Sequence, residues 1–330
     1  MASWSNCKHL KKALTNVQFL YYRTFRKRHA FTTACTAISK RNCILWCSSC
    51  FLYAVIAMNV SMEKEEKTMR KYRFLVVGAH PDDADIRCGG LAIRLCRKGH
   101  QVMFLSMTDG GSGHQTMSRE ELIKRRAKEA AAAGEIYGVT YKILSAPDAY
   151  LTPSLENRAM LMREIRTYAP DVIITHRSCD YHPDHRACGQ LVTDCSYLVS
   201  VPLYCPEAPV PQTVPVILSM WDAFTRPTPF RADVAVPIDD VIEQKLTGML
   251  SHVSQFYEWL PWCDRWTEVL EAQTFDEKTT VLRRLQRERF ARVAQTCQQL
   301  LPPGTKYAEA FEWNEYGAPL TEELRQLMQA

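Results

Sequence analysis

The sequence predicts an α/β fold: a doubly wound, mostly parallel sheet of strand order 3-2-1-4-5, followed by a mainly helical C-terminal extension. Three observations predict it. Between Tyr72 and Trp221, short apolar runs rich in β-branched residues alternate with helix-length segments, the pattern of right-handed βαβ crossovers. The runs lack a polar alternation, as strands buried on both faces do. After Trp221 the alternation stops and helical periodicity takes over.

The elements follow in order. Residues 73–78, RFLVVG, are the first strand, 88–98 a helix and 101–106 the second strand. Ser118 with Glu121 has the capping-box spacing and opens an alanine-rich helix to about Tyr137. A third strand is expected near 141–144, a helix at 155–168, a fourth strand at 171–175, a helix at 184–199 and a fifth strand at 214–218. Beyond Trp221, residues 239–258 and 277–299 read as helices. In the second, Leu282, Leu285 and Val293 form the apolar stripe, while Arg283, Arg284, Arg287 and Arg292 make a solvated face. Trp259, Trp262 and Trp266, at near-helical spacing, read as core rather than as a sugar-stacking wall. Pro302-Pro303-Gly304 breaks the chain before a short tail, residues 313–330, expected to be helical.

Charge is unevenly placed. Residues 1–72 carry thirteen Lys and Arg against three acids, and the remainder twenty-eight against thirty-three, so the net +5 belongs to the N-terminus. The body of the protein therefore offers no electrostatic footprint for nucleic acid. Thirteen cysteines, eight of them after residue 72, show no regular short spacing. No disulfide framework is required, and a reducing, cytoplasmic location follows. Residues 1–70 read as a basic extension with an apolar stretch at 43–60. That stretch is open to three readings: a membrane anchor, an Arg-rich organelle presequence, or an upstream extension with translation starting at Met62 or Met69. We favour the last; membrane association would follow only from the first.

Two tetrapeptides carry the chemistry: His80-Pro81-Asp82-Asp83 after the first strand and His182-Pro183-Asp184-His185 after the fourth. In a 3-2-1-4-5 order those strands are neighbours at the switch point, where ligands of open α/β sheets gather. His80 and Asp83 are three apart across a proline turn, as are His182 and His185. Each proline stiffens its loop. Either tetrapeptide alone reads equally well as a turn with an Asp helix cap. Together they point to one mononuclear site with His80, Asp83 and His185 as ligands and Asp184 orienting an imidazole. Zinc suits nitrogen and oxygen ligands with one position left for water, and ferrous iron suits the same set.

These residues resemble the LmbE-like N-deacetylase family, which includes PIG-L type enzymes. The likeness covers about residues 72–312, expected to form one domain. Its landmarks run from Ala79-His-Pro-Asp-Asp-Ala-Asp-Ile-Arg-Cys-Gly-Gly90 through Thr108-Asp-Gly110, Arg126 with Glu129, Ala146-Pro-Asp148 and His182-Pro-Asp-His185. They continue at His252-Val-Ser-Gln255 and Tyr307-Ala-Glu-Ala-Phe311. The resemblance implies a Rossmann-like fold and zinc-dependent hydrolysis of an N-acyl group, usually acetyl on an amino-sugar conjugate. It implies Asp82 as general base, His182 as oxyanion stabiliser or proton donor with Asp184 beside it, and substrate contacts from Asp148, Arg87 and His252. The chain departs from the family where Arg87 replaces a common glycine and Asp85 a common glutamate. Two rivals stay open. A metal phosphoesterase would carry two metals per chain and would want more carboxylates than these motifs offer. An inactive sugar-binding module would share the fold without the chemistry. A dinucleotide oxidoreductase fits poorly, because the turn after the first strand lacks the glycine fingerprint.

Overall fold

The computed structural model describes residues 70–330; the basic extension and its 43–60 stretch lie outside them. Five parallel strands form the framework: β1 Arg73–Gly78, β2 Gln101–Thr108, β3 Thr140–Ala146, β4 Val172–Thr175 and β5 Val216–Met220. Their order is β3-β2-β1-β4-β5, as the alternation predicts. Successive residues of β1 feed opposite cores, which is why the run is apolar without a break. Phe74 and Val76 pack under helices α1 (Asp83–Arg97), α2 (Arg119–Tyr137) and α5 (Ile242–Met249). Leu75 and Val77 pack under α3 (Leu155–Tyr168) and α4 (Pro183–Leu198). The capping box is formed: Ser118 accepts the amide of Glu121, and the Glu121 side chain returns to the cap amide.

The C-terminal third departs from expectation. It is helical, with α6 Leu260–Cys263, α7 Thr267–Glu271, α8 Phe275–Thr296 and α9 Glu322–Gln329, but it also adds two strands. β7 (Ala308–Asn314) runs antiparallel between β5 and β6 (Val234–Pro237), extending the sheet to seven strands. The β6 segment is four residues long, too short for a periodicity reading. The continuous helix expected over 239–258 is also broken. It stops at Met249, and a π-helical turn, Ser254–Trp259, resumes after His252. At the break the side chain of His252 is turned inwards to Asp85, at 3.0 Å. No helix of the described residues is long and apolar enough to cross a membrane.

Candidate metal centre

β1 and β4 are paired in parallel with Val77 opposite Thr175, so both strands end at the same level and release their loops side by side. At the end of β1 the chain turns through four residues, 79–82, into α1. A Cβ on Gly78 would stand 2.8 Å from the Cβ of Asp83, so only glycine permits that return. The His80 amide donates to Asp83 Oδ2 at 2.8 Å, locking the turn. At the end of β4 a longer loop leads to α4, which begins with Pro183 after the cap residue His182.

The two loops converge as expected. His80 Nδ1 lies 3.5 Å from Asp83 Oδ2, and His185 Nε2 lies 3.3 Å from Asp83 Oδ1. The far nitrogen of each imidazole is held by carboxylates. His185 Nδ1 faces Asp180 at 3.0 Å, and His80 Nε2 faces Asp148 at 3.2 Å and Asp184 at 3.3 Å. These contacts turn the near nitrogens towards Asp83, the arrangement that orients metal-binding histidines and raises their basicity. Three overlapping groups have ligand atoms close enough to share an ion: His80, His182 and His185; Asp83, His176 and His185; His80, Asp148 and Asp184. Donor chemistry of this kind fits a borderline divalent cation.

Charge is balanced inside the cluster. Burial opposes ionisation of Asp83, but His185 and His176 outweigh it and hold the carboxyl well below its usual range. Burial likewise lowers His80, yet its three carboxylates win and hold it well above the usual value. Burial disfavours the charged form of His185 too, but Asp83 and Asp180 carry it up to about 9. His182 is different: burial, with His80 and His185 adding to it, pushes the ring down. Its Nδ1 accepts the amide of Asp184 at 3.2 Å, so the neutral ring bears its proton on Nε2, as a donor.

Six of the nine residues singled out by sequence line one cavity of about 250 Å³: His80, Asp82, Asp83, Asp148, His182 and His185. Asp184 does not line it. It lies wholly buried behind His80, where it accepts the amides of Ala149 at 2.8 Å and Leu151 at 3.3 Å. It thereby holds Ala149 at a φ of 72°, a conformation that side chains avoid without such support. This is an orienting role. His252 is fully buried on Asp85, which also accepts the Tyr141 hydroxyl at 2.7 Å, and does not line the cavity. Arg87 does not line this cavity: one residue past Ile86, which does, its guanidinium turns to the neighbouring cleft and lies over the Trp221 ring, 5.8 Å from the centroid.

Sequence reasoning passed over His176 and Asp180 and gave Arg126, a landmark of the resemblance, no role. His176, the first residue after β4, stacks flat on His185 with centroids 4.1 Å apart and reaches Asp83 Oδ2 at 3.1 Å. Burial with the charge of His185 pushes it down to about 4. Asp180 also stood outside the tetrapeptides, and only its position between the β4 end and His185 could have marked it. Arg126, nearly inaccessible, places Nη2 3.1 Å from Asp82 Oδ1 and donates from Nη1 to the Gly110 carbonyl at 3.2 Å. The tryptophans split. Trp266 packs against the core as expected, but Trp259 lines the cavity and stacks on Trp262, which is 53% exposed. Winding through a π-helical turn puts Trp259 on a face that ordinary helical spacing would not give it.

Fold and site define a doubly wound α/β protein with an imidazole–carboxylate cluster at its switch point. Residues 75–196, which contain both tetrapeptides, match the family described as PIG-L: GlcNAc-PI de-N-acetylase. The resemblance to LmbE-like, PIG-L type proteins is thus shown for this segment. The chain is 29% identical over 198 residues to a diacetylchitobiose deacetylase of Thermococcus kodakarensis, 58% of this chain and 73% of that enzyme. It is 27% identical over 191 residues to a 1D-myo-inositol 2-acetamido-2-deoxy-alpha-D-glucopyranoside deacetylase of Streptomyces avermitilis, 49% of this chain and 64% of that one. Among solved structures, the N,N'-diacetylchitobiose deacetylase of Pyrococcus horikoshii shares the fold with a TM-score of 0.60 at 23% identity. That likeness covers 74% of this chain and 84% of that chain.

Proposed function

We propose that this protein is a metal-dependent amide hydrolase that removes an N-acyl group, acetyl above all, from an amino-sugar conjugate. The observation that carries the reading is the division of labour in one cavity. His80 and His185 approach Asp83 at 3.5 and 3.3 Å, the pairings we read as the ligand set, while Asp82 and His182 line the same cavity and are assigned to proton transfer. His80, Asp83 and His185 would hold a divalent cation, zinc in our reading, which when bound would supply Lewis-acid polarisation of the amide and lower the pKa of water beside it.

The remaining roles belong to the chain. Asp82, oriented by Arg126, accepts the proton of the attacking water. His182 donates its Nε2 hydrogen to the amide oxygen as negative charge develops there. The proton taken by Asp82 then passes to the departing amine. Trp259, backed by Trp262, offers an indole wall to a pyranose ring, and Asp148 faces the same space. Our reading keeps the protein in the cytoplasm, consistent with free cysteines at all eight described positions.

The test is acetate release from a panel of N-acetylglucosamine conjugates. We expect turnover that a chelator removes and one equivalent of zinc per chain restores. Two metals per chain, with phosphate esters cleaved in place of amides, would overturn the reading in favour of a phosphoesterase. A second expectation concerns Asp180. Asp180→Ala removes the carboxylate that fixes His185, at 3.0 Å. Metal affinity, read by competition with a chromogenic chelator, should fall by about 10–100-fold. Parental affinity would show that His185 needs no such anchor.

A further inference from the structure

Helix α8 bears five arginines on its outer half, and they fall into two groups. Arg283 and Arg287 pair with Glu243 at 3.1 and 2.6 Å, and Arg284 pairs with Glu268 and Glu288 at 2.5 and 2.8 Å. These form the solvated face that the sequence predicts. Arg289 and Arg292, by contrast, make no ion pair with any described residue, and neither does Arg87 on α1.

The three unpaired cations are neighbours. Arg87 and Arg289 line one narrow cleft, and Arg289 and Arg292 line the adjoining one of about 340 Å³. The carboxylates around them are already committed. Glu268 and Glu288 are taken by Arg284, Asp222 by Arg177 at 3.1 Å, and Glu309 by Lys245. Asp264 is near enough to act on Arg289 electrostatically, but it forms no ion pair with it. Burial, with Arg87 and Arg292 adding to it, pushes Arg289 down to about 10. Gathering like charges without counter-charge costs stability, and such violations collect where function requires them. Guanidinium forks are the groups that bind phosphate and carboxylate in two-point fashion.

We propose that Arg87, Arg289 and Arg292 form an anion subsite for a phosphate or carboxylate carried by the substrate, outside the acyl group that is cleaved. The inference rests on the hydrolase reading above and adds to it. Position supports it. Ile86 lines both the metal-centre cavity and the Arg87 cleft, and Tyr181 lines that cavity while neighbouring Arg289. A sugar whose acetamido group sits at the cluster would send its substituent towards the arginines.

Two measurements test it separately from the hydrolase reading. First, inorganic phosphate is titrated into the full chain, and into Arg289→Gln and Arg292→Gln variants, by calorimetry. Saturable binding is expected, weakened about ten- to a hundredfold by Arg289→Gln, the loss of charge-assisted hydrogen bonds. Arg292 is exposed, so its variant keeps the test valid if the other fails to fold. Arg283→Gln, on the paired side of α8, should bind as the parent does. Absence of saturable binding, or equal binding by both variants and the parent, overturns the proposal. Second, kcat/KM is compared for neutral methyl N-acetylglucosaminide, N-acetylglucosamine 1-phosphate and 6-phosphate, and N-acetylmuramic acid. The parent should favour an anionic substrate, and the Arg289 and Arg292 variants should bring the ratio towards one. A preference for the phosphates or for the muramic carboxylate decides which anion is taken. Equal rates on neutral and anionic sugars overturn the subsite and leave the hydrolase reading intact. No acetate from any sugar overturns the hydrolase reading, and the phosphate titration then decides the subsite alone.

Discussion

Asp82→Asn should lower turnover by about 10²–10⁴-fold, the usual worth of a positioned general base, while bound metal stays at the parental level. The expectation follows from what Asp82 touches. It lines the cavity beside Asp83, yet it belongs to none of the groups whose donor atoms are close enough to share an ion. Asparagine keeps its shape and cannot take a proton. Because Asp82 also lies 3.1 Å from the buried Arg126, a lost ion pair could slow the enzyme by distortion alone. Arg126→Met combined with Asp82→Asn separates the two causes. If Asp82 only neutralised Arg126, removing both charges would return most of the rate. If it is the base, the double variant stays as slow as the single one. Parental kcat in Asp82→Asn with metal intact would remove Asp82 from the mechanism.

The central framework was readable because its signals are local and redundant. The central strands β1 and β4 are mainly apolar runs buried on both faces, whereas the edge strand β3 exposes Thr140, Lys142 and Ser145. Convergence of His80, Asp83, His182 and His185 was readable because topology, not contact, dictates it: adjacent strands that end level must release neighbouring loops. What escaped was set by side chains acting over distance. His176 and Asp180 carry no motif of their own, and their roles exist only once His185 is in place to be stacked on and hydrogen-bonded. His252 is held in the interior, away from the cavity, by Asp85, 167 positions earlier. β7 left a trace, since AEAFEWN alternates acid and apolar residues. The alternation misleads, however, because Glu309 points into the core rather than to water. The π-helical turn shifted Trp259 to the cavity against a spacing argument that assumes even winding.

That inward glutamate sets up the largest stability effect we expect. Glu309 and Lys245 are an ion pair with side chains 1% and 0% exposed. Glu309 also accepts the amides of Gly90 at 2.7 Å and Leu91 at 2.8 Å, in mid-helix α1. Lys245 donates to the Ile86 carbonyl at 2.8 Å and lies over the Phe290 ring, 3.8 Å from its centroid. One buried pair therefore fastens α1 to β7, α5 and α8. It can approach α1 so closely because residue 90 is glycine: a Cβ there would meet Ile238 at 2.5 Å and Glu309 at 3.0 Å. Removing one partner strands a charge without water, and Glu309→Gln or Lys245→Met should each cost about 3–5 kcal/mol of unfolding free energy in denaturant titration. Replacing both together should cost less than the sum, since the desolvation penalty of the pair disappears with it. Additive losses in the double variant would show that the two residues act separately rather than as a pair. The consequence reaches the metal centre, because α1 begins at Asp83 and its seating sets where that carboxylate stands. Variants that remain folded should bind metal more weakly, although no atom of the pair lies at the cluster. Unchanged metal affinity alongside a loss of stability would confine the pair to the core.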